Sequence, residues 1–253
     1  MAFISYPFPS YQWTYQGFDF AGIANLDASV VQQMADDGVT FVGRYLFSPQ
    51  YPNGKGLSAT EAQWYLDAGI RIFLYYELQS TDAISGYDRG VELGAIALSE
   101  AEALNVPLGT PIICCCDMGV TDEQANGVVM QYLQGFASQI PDYNVGIYGG
   151  ANVMQACYNL NPDYYRVQAG AWGSQEFSDL YVRQWLIGTN PQAIQDGYCH
   201  IQGVTLDQYG YALWRGNPVD LLSAPNLDNM WGDGQPKPTE RDGMPIWMYL
   251  KLI

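Results

Sequence analysis

Short apolar runs recur along the chain, separated by longer segments whose apolar positions repeat every three or four residues. Runs of the first kind suit strands buried on both faces; segments of the second kind suit helices with one buried face. Their alternation is the pattern of a parallel sheet wrapped in helices. The strand-like runs are residues 15–20, 40–46, 70–76, 111–116, 144–148, 166–172 and 181–185. Residues 204–207 are the expected eighth strand, with 218–222 as a rival.

Helix signals fall between the runs. Asp27 reads as an N-cap for a helix ending at Gly38, and Ser58-Ala59-Thr60-Glu61 reads as a capping box for one ending at Gly69. An Ala-rich helix fits 86–104. A second capping box, Thr121-Asp122-Glu123-Gln124, opens a helix to about residue 139, and a short helix follows Gly150. The expected fold is α/β: a single (β/α)8 TIM-type barrel over residues 1–230, irregular after its seventh strand. Residues 231–253 then form a linker rich in Gly, Pro and charge and a short apolar C-terminal segment.

Length and composition agree with that fold. A chain of 253 residues, 48% hydrophobic and 14% charged, can bury a large core and is not a disordered chain. The formal net charge is −16, from 26 acidic and 10 basic residues. No basic face is evident, so neither nucleic acid nor an anionic membrane is an expected partner. No stretch approaches the roughly 18 apolar residues of a membrane helix. The N-terminal MAFISYPFPSYQW lacks the basic and apolar regions of a secretory signal. Localisation is left open between the compartment of synthesis and release by another route, such as a phage virion or lysis.

Five cysteines (Cys114, Cys115, Cys116, Cys157 and Cys199) match no zinc spacing, and their odd number argues against a disulfide framework. His200 is the only histidine and is read as structural. No metal site and no cofactor are expected.

In a barrel of this kind the chemistry sits where the strands end. Four acids are expected there: Asp19, Glu77, Asp117 and Asp207, with Asp220 as the rival of the last. Tyr45, Tyr76, Tyr148, Trp172 and Trp185 lie between them, and Arg44 and Gln184 end the second and seventh strands. Paired carboxylates cleave glycosidic bonds, one as general acid and the other as base or nucleophile. Aromatic faces pack on sugar rings. The expected catalytic residues are therefore Asp19, Glu77, Asp117 and Asp207, and the expected substrate-binding residues are Arg44, Tyr45, Tyr148, Trp172 and Gln184.

Several motifs fall in a recognisable order: Gly17-Phe18-Asp19, Val42-Gly43-Arg44-Tyr45, the segment 57–73, Gly109-Thr110-Pro111-Ile112 through Asp117, and Val145-Gly146-Ile147-Tyr148-Gly149-Gly150. Across residues 15–210 the chain resembles a bacterial and phage family described as glycoside-hydrolase-like. That family is related to the family 25 glycoside hydrolases, lysozyme-like muramidases with a barrel fold. The resemblance implies a site at the strand ends, with Asp19 and Asp117 as acids of the first and fourth strands and Tyr148 and Trp172 lining it. Asp207 would be the acid of the last strand, with Asp220 as its rival. True muramidases carry a further acid two positions after the fourth-strand Asp; here the triplet is Asp117-Met118-Gly119. Glu77 is the candidate to replace it.

Two readings follow. One is a hydrolase of cell-wall glycan (peptidoglycan), with Glu77 or Asp117 as acid and Asp19 or Asp207 as stabiliser or base. The other is a catalytically inactive barrel that binds glycan or serves as a structural component, such as a phage tail protein. In the second case residues 245–253 would contact the virion or another copy of the chain.

Overall fold

The computed structural model describes residues 3–5, 7–46, 55–173, 175–185 and 190–232. At its centre is a closed barrel of eight strands. They are β1 (Tyr15–Asp19), β2 (Phe41–Tyr45), β3 (Arg71–Tyr76), β4 (Pro111–Cys115), β5 (Asn144–Gly149), β6 (Tyr165–Gln168), β7 (Val182–Gln184) and β8 (Asp220–Ala224). β1 to β7 are parallel neighbours in sequence order. The outer helices are α1 (Ala28–Asp36), α2 (Ala59–Asp67), α3 (Tyr87–Ala103), α4, α5 (Ala151–Leu160) and the short α6 (Asn190–Gln195). α4 runs through Asp122–Gln124, a π turn at Ala125–Val129 and Met130–Ala137.

The expected caps form, with one exception. Asp27 Oδ1 accepts from the Ser29 and Val30 amides at 2.8 and 3.0 Å. Thr121 and Gln124 exchange both bonds of a capping box, at 3.0 and 3.2 Å. Ser58 Oγ caps the Glu61 amide at 3.0 Å, but the Glu61 carboxylate does not reach back. It is drawn instead to Arg44 Nε at 2.7 Å and accepts from Tyr65 Oη at 3.0 Å. A guanidinium is a stronger partner than the backbone amide of a capping box.

The eighth strand corrects the expectation. It is Asp220–Ala224, close to the rival run, and it lies antiparallel to both β7 and β1. Residues Val204–Leu206 pair instead with Ala212–Trp214, and these with Asn217–Pro218, in a small antiparallel sheet outside the barrel. That sheet is tied to the end of α1 by the buried Asp37, which accepts from Trp214 Nε1 at 2.9 Å and from Arg215 Nε and Nη2 at 2.7 and 2.8 Å. The Arg215 bonds hold the Asp37 carboxyl below the usual range. β6 also ends earlier than expected, because the Gly170 amide is taken by Gln184 Oε1 at 2.8 Å.

Side-chain direction along each strand alternates with period two. One set fills the barrel interior: Phe41, Phe73, Tyr75, Ile113, Cys115, Tyr148, Val167, Val182 and Leu222. The other set packs under the helices: Val42, Ile72, Leu74, Tyr76, Ile112, Cys114, Ile147 and Leu221. After β8 the chain crosses to β3. There Met230 joins the interior set and Trp231 pairs with Ile72 by backbone bonds of 2.8 and 3.0 Å. Residues 233–253, which hold nearly all of the expected linker and the apolar segment 245–253 with its virion or self-association role, lie outside the described residues.

Arg44 follows the same alternation and faces outward, so it is not among the residues that line the barrel mouth. It is fully buried between β2 and α2, donating to Glu61 and to the Phe20 carbonyl at 2.6 Å. Removing one partner of a buried ion pair leaves the other charge uncompensated, at a cost of about 3–5 kcal/mol. Arg44→Ala is expected to lose about that much in denaturant unfolding. Unchanged stability with weakened ligand binding would return Arg44 to the site.

Candidate active site

At the C-terminal ends of β1 to β7 the interior set turns from apolar to polar. Asp19, Tyr45, Tyr75, Glu77, Cys115, Asp117, Tyr148, Gln184 and Asp220 line a pit of about 120 Å³. All nine share the inward parity of the strands or extend it by one step. Asp220 comes from the antiparallel strand, so its first residue, not its last, reaches the rim. In the ladder Asp220 stands directly opposite Asp19.

The carboxyl groups fall into two neighbouring pairs in the pit, Asp19 beside Asp220 and Asp117 beside Glu77. Tyr75 Oη donates to Asp19 Oδ2 at 3.1 Å. Lys55 Nζ lies 2.7 Å from Glu77 Oε2 and 4.0 Å from the centre of the Tyr45 ring. Tyr148 Oη donates to Gln184 Oε1 at 2.9 Å, and that oxygen also holds the Gly170 amide, so a side chain on β7 fixes both the phenol and the loop after β6. The rings of Tyr45, Tyr75 and Tyr148 form a chain, with centroids 5.3 and 5.8 Å apart.

Burial raises the Asp19 carboxyl well above the usual aspartate range; the neighbouring Asp220 adds to this, and the Tyr75 bond only partly opposes it. Asp220 is solvent-exposed at the mouth yet surrounded by protein atoms. Its carboxyl is also raised by burial, while the bond from Asp19 pulls it back. Burial and the adjacent carboxylate thus both favour the protonated form at Asp19. Asp117 is open to solvent on one side. Burial on the other, then the Glu77 charge and the bond to Glu77, push it up to about 6 against the opposing effect of Lys55. Tyr45, Tyr75 and Tyr148 are pushed upward by burial first and by nearby carboxylates second, so all three remain O–H donors.

Of the residues expected from sequence, Asp19, Glu77, Asp117, Tyr45, Tyr148 and Gln184 meet in the pit. Trp172 stands beside it, edge-on to Tyr148 at 6.4 Å. Asp207 does not take part. It caps a turn of the outer sheet, accepting from the Tyr209 and Tyr211 amides at 2.8 and 2.9 Å, and Asp220 takes its place. Tyr76 and Trp185 face outward into the helix layer. His200 lies apart from the pit, its amide bonded to Gln16 Oε1 at 2.8 Å. Tyr75 and Cys115 lie two positions before Glu77 and Asp117 and were legible by parity alone. Lys55 enters from a loop, and no periodicity in the sequence announces it.

The Cys115 thiol is raised well above its usual value by burial and the adjacent carboxylates, so it is a neutral wall and not a nucleophile. Among the described residues no group of three or more His, Cys, Asp or Glu is placed to hold a metal ion. Among them, too, no helix is long and apolar enough to cross a membrane.

Two crystal forms of the Mycobacterium tuberculosis Tat-secreted protein Rv2525c, one with HEPES and one with L-tartrate, share this fold. Their TM-scores are 0.62 and 0.63 at 20% identity, covering 87% of this chain and 100% of theirs. A protein of B. stearothermophilus aligns with a TM-score of 0.56 at 16% identity, over 86% of this chain and 100% of its own. Comparison with curated protein sequences gives no match. The sequence profile of the Rv2525c-like, glycoside hydrolase-like domain matches residues 32–212. That span contains Glu77, Asp117 and every barrel strand from β2 to β7, and on this evidence the chain belongs to the Rv2525c-like, glycoside hydrolase-like domain family.

Proposed function

We propose that this barrel hydrolyses a glycosidic bond of cell-wall glycan, with Asp117 as the proton donor. The observation that carries the reading is the pairing of Asp117, held at about 6, with Glu77, which is itself bound to Lys55 at 2.7 Å. A general acid must still hold its proton near the working pH and release it to the departing oxygen. The Glu77–Lys55 ion pair leaves Glu77 as the charged member beside Asp117. That charge keeps the proton on Asp117 until a leaving group with growing negative charge competes for it.

The second pair serves the other half of the reaction. Asp19 keeps its proton and donates to Asp220, which leaves Asp220 as an ionised group at the mouth. There it can stabilise an oxocarbenium-like state or activate water. Tyr75 fixes Asp19 from below. The family's description as glycoside hydrolase-like supports this chemistry. A second reading, a barrel that binds glycan without cutting it, is favoured by Gly119, which stands where the related muramidases carry an acid. In that case the carboxyl groups would only bond sugar hydroxyls.

Reducing-sugar release from purified peptidoglycan separates the two. Asp117→Asn and Glu77→Gln, with folding retained, should each lower release by about 10²–10⁴-fold, the usual contribution of a positioned acid. Wild-type activity should fall as pH rises through about 6. No release from several wall types, together with retained pull-down on them, would establish the binding module.

The same carboxyl makes a stability prediction. Asp117 titrates near 6 in the folded chain against an ordinary value of 3.8, so between those values the folded state binds more protons than the unfolded one. Its contribution is fully present below about 4 and is lost as pH rises through about 6. Melting temperature should drop across that window in the wild type, and Asp117→Asn should flatten the drop. An identical pH profile in both proteins would remove the proposed proton from Asp117.

A further inference from the structure

The pit holds too little volume for a sugar ring and its substituents, since ligand sites usually span about 300–1,000 Å³. Beside it lies a groove of about 540 Å³ between the start of α4 and the length of α5, bounded by Trp172. We propose that this groove is a subsite for a neutral, amide-bearing sugar ring, seated against Trp172 so that the adjoining linkage lies over the carboxyl pit. The proposal rests on the glycan reading above and names the part of the ligand that the carboxyl pit does not hold.

The walls of the groove are rich in side-chain amides. Asn152, Gln155 and Asn159 lie on one face of α5, and Asn126 faces them from α4. Gln155 Nε2 donates to Asn159 Oδ1 at 3.0 Å, which leaves the Gln155 carbonyl as an acceptor and the Asn159 amide as a donor. Asn126 Nδ2 is held by the Asp122 carbonyl at 2.7 Å, so its own carbonyl remains to accept. An amide side chain offers both donors and acceptors and so matches hydroxyl and acetamido groups alike. Among the described residues no Lys or Arg lines the groove, and Asp122 is its only charged residue. An anionic ligand finds no cation among them.

Trp172 joins the two spaces. Its edge contact with Tyr148 reaches the pit, and its half-buried indole borders the groove. Two glycines permit that position. A Cβ on Gly150 would fall 2.9 Å from Trp172 Cβ, and one on Gly119 would fall 3.3 Å from Trp172 Cδ1. The position that carries an acid in the related muramidases is thus a glycine under the indole. A larger side chain at 119 would start against the ring.

The test is calorimetric titration of the Asp117→Asn protein, which holds ligand without turnover, with chitotetraose, cellotetraose and tetra-alanine. Chitotetraose should bind, and cellotetraose, which lacks the acetamido groups, should bind more weakly. Trp172→Ala and the double variant Gln155→Ala/Asn159→Ala should each weaken chitotetraose by about tenfold or more, with unchanged circular dichroism. The two amide positions are on the helix surface, so the double variant keeps the proposal testable should Trp172→Ala misfold. Chitotetraose affinity unaffected by the double variant, or absent altogether, would overturn the subsite. Binding of tetra-alanine in preference to the sugars would overturn it in favour of a peptide groove. Failure of hydrolysis with groove binding intact would remove the hydrolase and leave the subsite standing.

Discussion

The return of β8 between β7 and β1, against the direction of both, is the constraint on which the rest depends. Seven parallel strands leave two open edges, and unpaired edge groups must be bonded. β8 satisfies both edges at once, pairing with β1 over Asp220 to Ala224 and with β7 at Leu222 and Ser223. Because it enters from the face where the others end, its leading residue carries a carboxyl group straight into the mouth. Closure of the barrel and assembly of the Asp19–Asp220 pair are therefore one event.

Crowding carboxyl groups in this way works against stability. Like charges close together, partly stripped of water, cannot all ionise. The protein resolves the conflict differently in the two pairs. For Asp19 and Asp220 burial favours the protonated form, and the Tyr75 hydroxyl donates to Asp19. For Asp117 and Glu77 a cation is brought in: Lys55, seated on the Tyr45 ring. The result is two pairs in which the protonated form is favoured at Asp19 and at Asp117. Two carboxyls with distinct protonation are what acid–base cleavage of a glycoside requires.

The surroundings of the pit hold that arrangement in place. Gln184 fixes Tyr148 and the chain after β6 through a single oxygen. Outside the barrel, Arg44 and Glu61 neutralise each other beneath α2, and Asp37 ties the outer sheet to α1. These ion pairs link elements of the shell and lie outside the pit. Their separation from the pit follows from strand parity, which places Arg44 and Tyr45, or Tyr75 and Tyr76, on opposite sides of the same wall.

The sequence by itself determined the barrel, because hydrophobic period and capping residues act over a few neighbours and need no distant partner. The ranges of β1 to β5 and the caps at Asp27 and Thr121 follow from such local terms. It also determined that Asp19, Glu77 and Asp117 end strands, but of the two tyrosines before Glu77 it named Tyr76, which faces outward, where Tyr75 lines the pit. The tertiary structure decided the rest. Residues 204–207 and 220–224 are both plausible strands locally, and the choice between them depends on which one can bond β1 and β7 together. Reading every strand as parallel placed the last acid at a strand's end, at Asp207, whereas an antiparallel strand presents its beginning, at Asp220. Arg44 was assigned to the mouth by its position and removed from it by Glu61, a partner 17 residues away in another element. Lys55 reaches the site from a loop, where no period constrains direction and only the packed neighbours fix where a side chain points.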